Sequence, residues 1–167
     1  ETAVGDYALE ACRVMHRIVD CTESELFTDS WRLRPELNPE GLPGHTITMA
    51  TVNAGVYAAH QAKAKMILAF TESGRTAKLL ASFRPRIPIV ALTSKEKSYH
   101  QMALLWGVRP GLTPVPRSNS QRNRSAAKLL RESGYLRPKD LLVALTGSFQ
   151  ISGSTRIMQL MKLEDLA

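Results

Sequence analysis

The chain has 167 residues, 22 Lys and Arg against 15 Asp and Glu, and a formal charge of +7. With 44% apolar and 22% charged residues, it is composed like a globular protein, which excludes wholesale disorder, collagen-like repeats and a disulfide-stapled miniprotein. At this length one domain with its own core is expected, and no apolar run approaches the roughly 18 residues of a membrane span.

In chain order, residues 1–6 lack the basic and long apolar regions of a signal peptide. Asp6 can cap a helix running to about Thr22, in which Ala8, Ala11, Cys12, Met15, Ile18 and Val19 form one apolar stripe. Cys12 and Cys21 lie nine positions apart on that helix, about 13 Å, too far to bridge. A reduced, cytoplasmic protein is expected. From Glu23 to His45 the chain is polar and rich in Pro and Gly, as a loop requires. Residues 48–62 are rich in small side chains, consistent with a helix packed closely on a sheet, although Gly55 and the β-branched positions weaken it. His45 and His60 have no Cys, His or carboxylate at metal-ligand spacing, so structural roles are expected.

Then the pattern alternates. Met66–Phe70 is continuously apolar, as a strand covered on both faces must be. Helix follows at Thr76–Phe83, strand at Ile89–Leu92 and helix at Glu96–Trp106, closed by Gly107. Residues 108–115 carry Pro110, Gly111 and Pro114, so any strand there is short and at an edge. Asn119 or Ser120 can cap a helix through Ser133, with Gly134 beyond its end. Leu141–Thr146 is a further buried strand, and Thr155–Leu163 makes a fifth. Strands alternating with single helices predict an α/β fold, a mainly parallel sheet between helical layers. The last two strands are joined by only Gly147–Ser154, too short for a parallel crossover, so the last strand should run antiparallel.

Three segments can carry chemistry. Phe70–Thr76 joins a buried strand to a helix start, where ligands of open α/β sheets collect. Thr71, Ser73 and Thr76 supply hydroxyls, Gly74 permits close approach and Arg75 adds a cation; with Glu72 between them, this is a cradle for a phosphate. An ordinary Ser/Thr helix cap explains one of these hydroxyls. The Walker A spacing is absent, so nucleotide hydrolysis is not implied.

The second segment is Gly147–Thr155, a loop of glycines and hydroxyl residues (Ser148, Ser152, Gly153, Ser154, Thr155) able to fold over an anion. The third lies in residues 109–139, which hold eight bases and one acid, whereas residues 1–40 hold nine acids and four bases. There Arg117, Arg122 and Arg124 read as a solvated helix start, a second anion contact or an RNA-binding patch. No aromatic interleaves with these bases, which argues against nucleic acid. For catalysis the inventory is thin: no nucleophile elbow, no H-E-x-x-H and no acidic cluster for Mg²⁺.

Glu1–Ala11, Phe70–Ala77, Phe83–Ile89, Trp106-Gly107-Val108 and Leu145-Thr146-Gly147 follow one another as they do in pyruvate kinases. Over essentially its whole length the chain resembles the C-terminal, allosteric domain of that family, preceded by the last helix of its catalytic barrel. The resemblance implies a three-layer α/β/α sandwich with a five-stranded mixed sheet. It assigns residues 1–24 to the barrel helix, 25–45 to a connecting loop and 46–167 to the α/β domain.

In family members with a sugar-phosphate activator, the segment matching Thr71–Thr76 holds one phosphate and that matching Gly147–Thr155 closes over the ligand. Ala8 stands where the family usually has proline, Ser148 where animal enzymes have tryptophan and Arg156 where asparagine is common. The stretch Thr113–Asn123 is shorter than in animal enzymes, so their second phosphate contacts are not carried over. The family's Mg²⁺ and K⁺ belong to the barrel, so this chain is expected to hold no metal or cofactor and no catalytic residue. Starting inside a barrel-end motif implies a piece of a longer chain.

A regulatory domain is therefore expected, binding a sugar phosphate or nucleoside monophosphate, partnered by its own barrel and by further copies in a tetramer. The alternatives are a stand-alone α/β protein that binds or processes phosphometabolites, and a nucleic-acid-binding module.

Overall fold

The computed structural model describes residues 2–26, 45–147 and 155–166, and the chain divides into two compact units, residues 1–34 and 35–167. The first unit contains helix α1, Ala8–Leu26. It starts two residues after Asp6 and runs four beyond Thr22, so the polar segment expected from Glu23 first extends the helix, with Glu23, Ser24 and Glu25 exposed or half-buried along it. Met15, Ile18 and Val19 of the predicted stripe are exposed, as are both free cysteines. The rest of the expected connecting loop, residues 27–44, lies outside the described residues.

The second unit is the α/β domain. Its elements are α2 (His45–Gln61), β1 (Met66–Phe70), α3 (Arg75–Ser82), β2 (Ile89–Thr93) and α4 (Glu96–Met102), then β3 (Val108–Leu112), α5 (Asn119–Glu132), β4 (Leu141–Gly147) and β5 (Thr155–Lys162). A 3-10 turn at Leu163–Leu166 follows. The five strands form one sheet in the order β3-β2-β1-β4-β5. β1 pairs in parallel with β2 and β4, β2 in parallel with β3, and β4 antiparallel with β5. The Pro-containing β3 stands at one edge, where its missing N–H costs no central ladder bond.

The continuous apolar runs are explained by two cores, one on each face. Ile67 and Ala69, Ile89 and Ala91, and Val143 and Leu145 point to one side, under Val52, Val56 and Ala59 of α2, Ala77 and Leu80 of α3, and Met102 of α4. Met66, Leu68, Val90, Leu92, Leu142 and Ala144 point to the other, under Ala126, Ala127 and Leu130 of α5 and Leu163 and Leu166 of the 3-10 turn. The result is the expected three-layer sandwich. Gly55 explains how α2 sits so close: a Cβ there would lie 2.9 Å from Leu145 Cδ2. The helix tolerates the propensity loss of about 1 kcal/mol for that approach. α4 ends at Met102 rather than Trp106, because Ala103–Gly107 turns down toward β3 and Gly107 takes a positive φ of 66°.

His60, half-buried on α2, has a predictable pH signature. Burial first, and the positive charge of Arg86 second, hold its pKa below the ordinary 6.5. The unfolded chain therefore binds the proton more readily than the folded one, and stability rises with pH across that window. Melting temperature should be level above about pH 6.5 and fall as pH drops below it. In His60→Gln that segment of the decline should vanish; an unchanged profile would contradict the assignment.

Candidate functional site

The parallel strands end together on one edge of the sheet. Ala69 sits beside Leu145 in the β1–β4 register, so continuing both strands brings Thr71 beside Gly147. Among the described residues the buried polar side chains are Thr48, Thr76, Thr93, Ser98, Thr146 and Thr155. All of them cluster along this carboxyl edge: the ends of β2 and β4, the start of β5, and the first turns of α2, α3 and α4. A core that excludes water elsewhere concentrates its polar atoms where ligands of such sheets bind.

The turn from β1 into α3 is built by glycine. Gly74 is the N-cap of α3, has φ 76° and ψ −2°, and provides no side-chain cap. Its own N–H donates to Thr71 Oγ1 at 3.1 Å, closing the turn, while the Thr71 N–H donates to Leu92 O at 3.0 Å. Lys78 N–H donates back to Gly74 O at 2.9 Å, so Arg75, Thr76 and Ala77 have no carbonyl of the helix itself to bond. The ordinary Ser/Thr cap is thus not what these hydroxyls form. Thr71 has accepted a hydrogen bond and still has its own proton to donate; Ser73 is exposed on the turn.

Thr76 is different. Its Oγ1 lies 2.6 Å from Thr155 Oγ1 in a buried pair, and the Thr155 N–H donates to Thr48 Oγ1 at 3.3 Å. Thr76 can donate to an anion only when Thr155 donates to it. Three threonines from α2, α3 and β5 are thereby linked at the edge of the site, Thr76 to Thr155 through their hydroxyls and Thr155 to Thr48 through its backbone N–H. Removing one member strands the other. Thr155→Val should cost about 1–3 kcal/mol, whereas the Thr76→Val/Thr155→Val double variant should cost much less than the two single changes summed. Urea denaturation of the four proteins in the cycle measures that coupling; additive costs would contradict the pair.

Charge at the turn is mostly positive. Arg75 Nη2 is buried and has no hydrogen-bond partner among the described residues. The Glu72 carboxylate, which opposes an anion, is paired with Lys95 Nζ at 3.2 Å in an exposed ion pair. Of the three candidate arginines, Arg117, Arg122 and Arg124, Arg122 is the one with a described contact at this edge: its guanidinium lies 4.6 Å from the ring centroid of Phe70, the residue before Thr71. Burial holds its pKa below the ordinary guanidinium value. Arg117 and Arg124 are exposed at the start of α5, and no described contact ties their side chains to the turn. Gly147 ends β4 opposite Thr155, beside a register shift at Thr146 and Gly147. Ser148, Ser152, Gly153 and Ser154 lie outside the described residues.

Sequence reading missed Thr48, Thr93, Lys95 and Ser98. Thr93 and Ser98 both hydrogen-bond to the Glu72 carbonyl. The available signal was a second strand end with hydroxyls, Thr93-Ser94, followed by a helix start. Among the described residues no three His, Cys, Asp or Glu converge as metal ligands, and no helix is long and apolar enough to cross a membrane.

Comparison with known proteins is consistent across the chain. The family profile described as "Pyruvate kinase, alpha/beta domain" matches residues 49–161. A pyruvate kinase of Lactobacillus delbrueckii subsp. bulgaricus is 34% identical over 96% of this chain and 27% of its own length. One of Agrobacterium vitis is 35% identical over 93% of this chain and 32% of its own. One of Clostridium acetobutylicum is 28% identical over 98% of this chain and 34% of its own. The chain thus spans about a third of the length of the curated relatives it matches.

Proposed function

The chain belongs to the pyruvate kinase family, as its C-terminal α/β domain, and from that premise we propose that it binds a phosphorylated allosteric effector at the β1–α3 turn. The effector is a sugar phosphate or nucleoside monophosphate. The observation that carries the reading is the start of α3: a helix N-terminus with no side-chain cap, flanked by a buried guanidinium nitrogen with no described partner. A phosphate monoester dianion supplies what both lack, acceptors for the first-turn amides and a counter-charge for Arg75. Thr71, Ser73 and Thr76 would donate from three sides, with Glu72 held off by Lys95. Arg122 is the second cation, against the body of the ligand or a second phosphate. The segment Gly147–Thr155 would close over the ligand.

Binding here serves an enzyme whose catalytic groups, with their Mg²⁺ and K⁺, lie in a barrel that this chain does not contain. That enzyme transfers the phosphate of phosphoenolpyruvate to ADP, giving pyruvate and ATP, as a glycolytic enzyme of the cytoplasm. Subunit assembly is the domain's second role. It is supported by the outer edge strand β5, where Ile157, Met158 and Leu160 are 40%, 38% and 49% exposed. Such an apolar edge is ordinarily covered by another chain.

The test is thermal stability of the 167-residue chain against a panel of sugar phosphates and nucleoside monophosphates. A true effector at a hundred times its Kd adds about 2.7 kcal/mol, several degrees of melting temperature. The combined change Thr71→Ala/Arg75→Ala should remove that shift. A shift from no compound in the panel would reject the effector reading. Turnover of phosphoenolpyruvate and ADP by this chain alone would favour a stand-alone enzyme instead.

A further inference from the structure

We infer that Ser98 is a positioning residue for the anion-binding turn, acting with Thr93 to fix the direction of the Ser73 amide; the inference rests on the effector reading of Thr71–Thr76. Ser98 stands in the first turn of α4, where a serine hydroxyl usually bonds its own helix. Instead Ser98 Oγ reaches across to donate to Glu72 O at 2.6 Å. Thr93 Oγ1 donates to the same carbonyl at 3.3 Å and itself accepts the Lys95 N–H at 3.1 Å. Both side chains are more than nine-tenths buried, at 6% and 3% exposure.

A carbonyl oxygen has two lone pairs, and here both are taken by buried hydroxyls. The peptide between Glu72 and Ser73 is trans, so its N–H points opposite to its C=O. With the carbonyl held toward α4, the Ser73 N–H is turned to the far side of the turn, away from Ser98. Rotating this peptide would strand two buried hydroxyls at once. The next turn of α4 adds a steric stop, because Met102 Cγ would lie 3.0 Å from a Cβ on Gly74. α4 therefore acts as a buttress: it touches the backbone of the turn while leaving the Ser73 amide and the hydroxyls of Thr71 and Ser73 to a ligand.

Calorimetric titration with inorganic phosphate and with glucose 6-phosphate tests this in the 167-residue chain, using Ser98→Ala, Ser98→Thr and Thr93→Val, each with a melting curve. Loss of one oriented donor to an anion should weaken binding about tenfold or more in Ser98→Ala, with Ser98→Thr restoring it and the Ser73 amide resonance displaced in Ser98→Ala but not in Ser98→Thr. If Ser98→Ala does not fold, Thr93→Val should give the same loss in smaller degree, because its hydrogen bond is longer. Equal affinity in the parent and in the folded hydroxyl-deleted variants would overturn the positioning role and leave the effector site standing. No binding of either compound to the parent chain would overturn the effector site itself, and this inference with it.

Discussion

Gly74→Val is expected to lose about 2–4 kcal/mol of stability and to abolish the response to phosphate compounds. Gly74 sits at φ 76°, where an L-residue costs roughly 1–2 kcal/mol and a β-branched one is a genuine outlier. Its new methyl groups would also press on Met102, whose Cγ is 3.0 Å from the Cβ position; overpacking of that kind adds about 1–3 kcal/mol. A turn forced out of the left-handed region withdraws the Gly74 N–H from Thr71 Oγ1, and the amides that follow lose their common direction. Gly74→Asn, which tolerates the left-handed region better, should fall between the two. Urea denaturation and ligand thermal shift check this together. A valine variant as stable as the parent would mean that the turn is not built this way.

Leu80→Ala should show the opposite separation of stability from binding. Leu80 is fully buried between α3 and the sheet, and its truncation should cost about 2–5 kcal/mol through lost transfer energy and the cavity left behind. It belongs to the apolar core on one face of the sheet and brings no polar group to the turn. At a temperature where the variant is still folded, the ligand-induced stabilisation should be retained within error. Loss of the response in folded protein would mean that the turn depends on the packing of α3, and the site would have to be redrawn to include it.

The fold was legible where side-chain chemistry is set by layers. β1, β2 and β4 are continuously apolar because helices cover both faces, and such runs admit few other readings. Pro110 announced an edge strand because no central ladder tolerates it, and the short link between β4 and β5 announced the antiparallel turn. What was not legible depends on contacts far apart in sequence. Nothing in the chain joins Thr76 to Thr155, 79 residues away, or Ser98 to the Glu72 carbonyl, 26 residues away.

The same limit explains the reading of the turn itself. Three hydroxyls near a helix start read as a cap, and only the backbone shows that Gly74 takes the N-cap position without a side-chain cap. The basic segment taught the converse lesson. Arg117, Arg122 and Arg124 read alike as charges, yet Arg122 alone stacks on Phe70, because it falls on the side of α5 that meets the sheet edge.

Effector binding at this turn requires the amides at the start of α3 to hold a phosphate monoester. The most direct measurement is an amide-resonance titration of the labelled chain with glucose 6-phosphate and AMP at constant ionic strength. Saturable displacement is expected with at least one of the two, centred on Ser73, Arg75, Thr76 and Ala77, with Arg122 following at the same ligand concentration. Resonances of those four residues that stay fixed while both ligands reach millimolar concentration would contradict it.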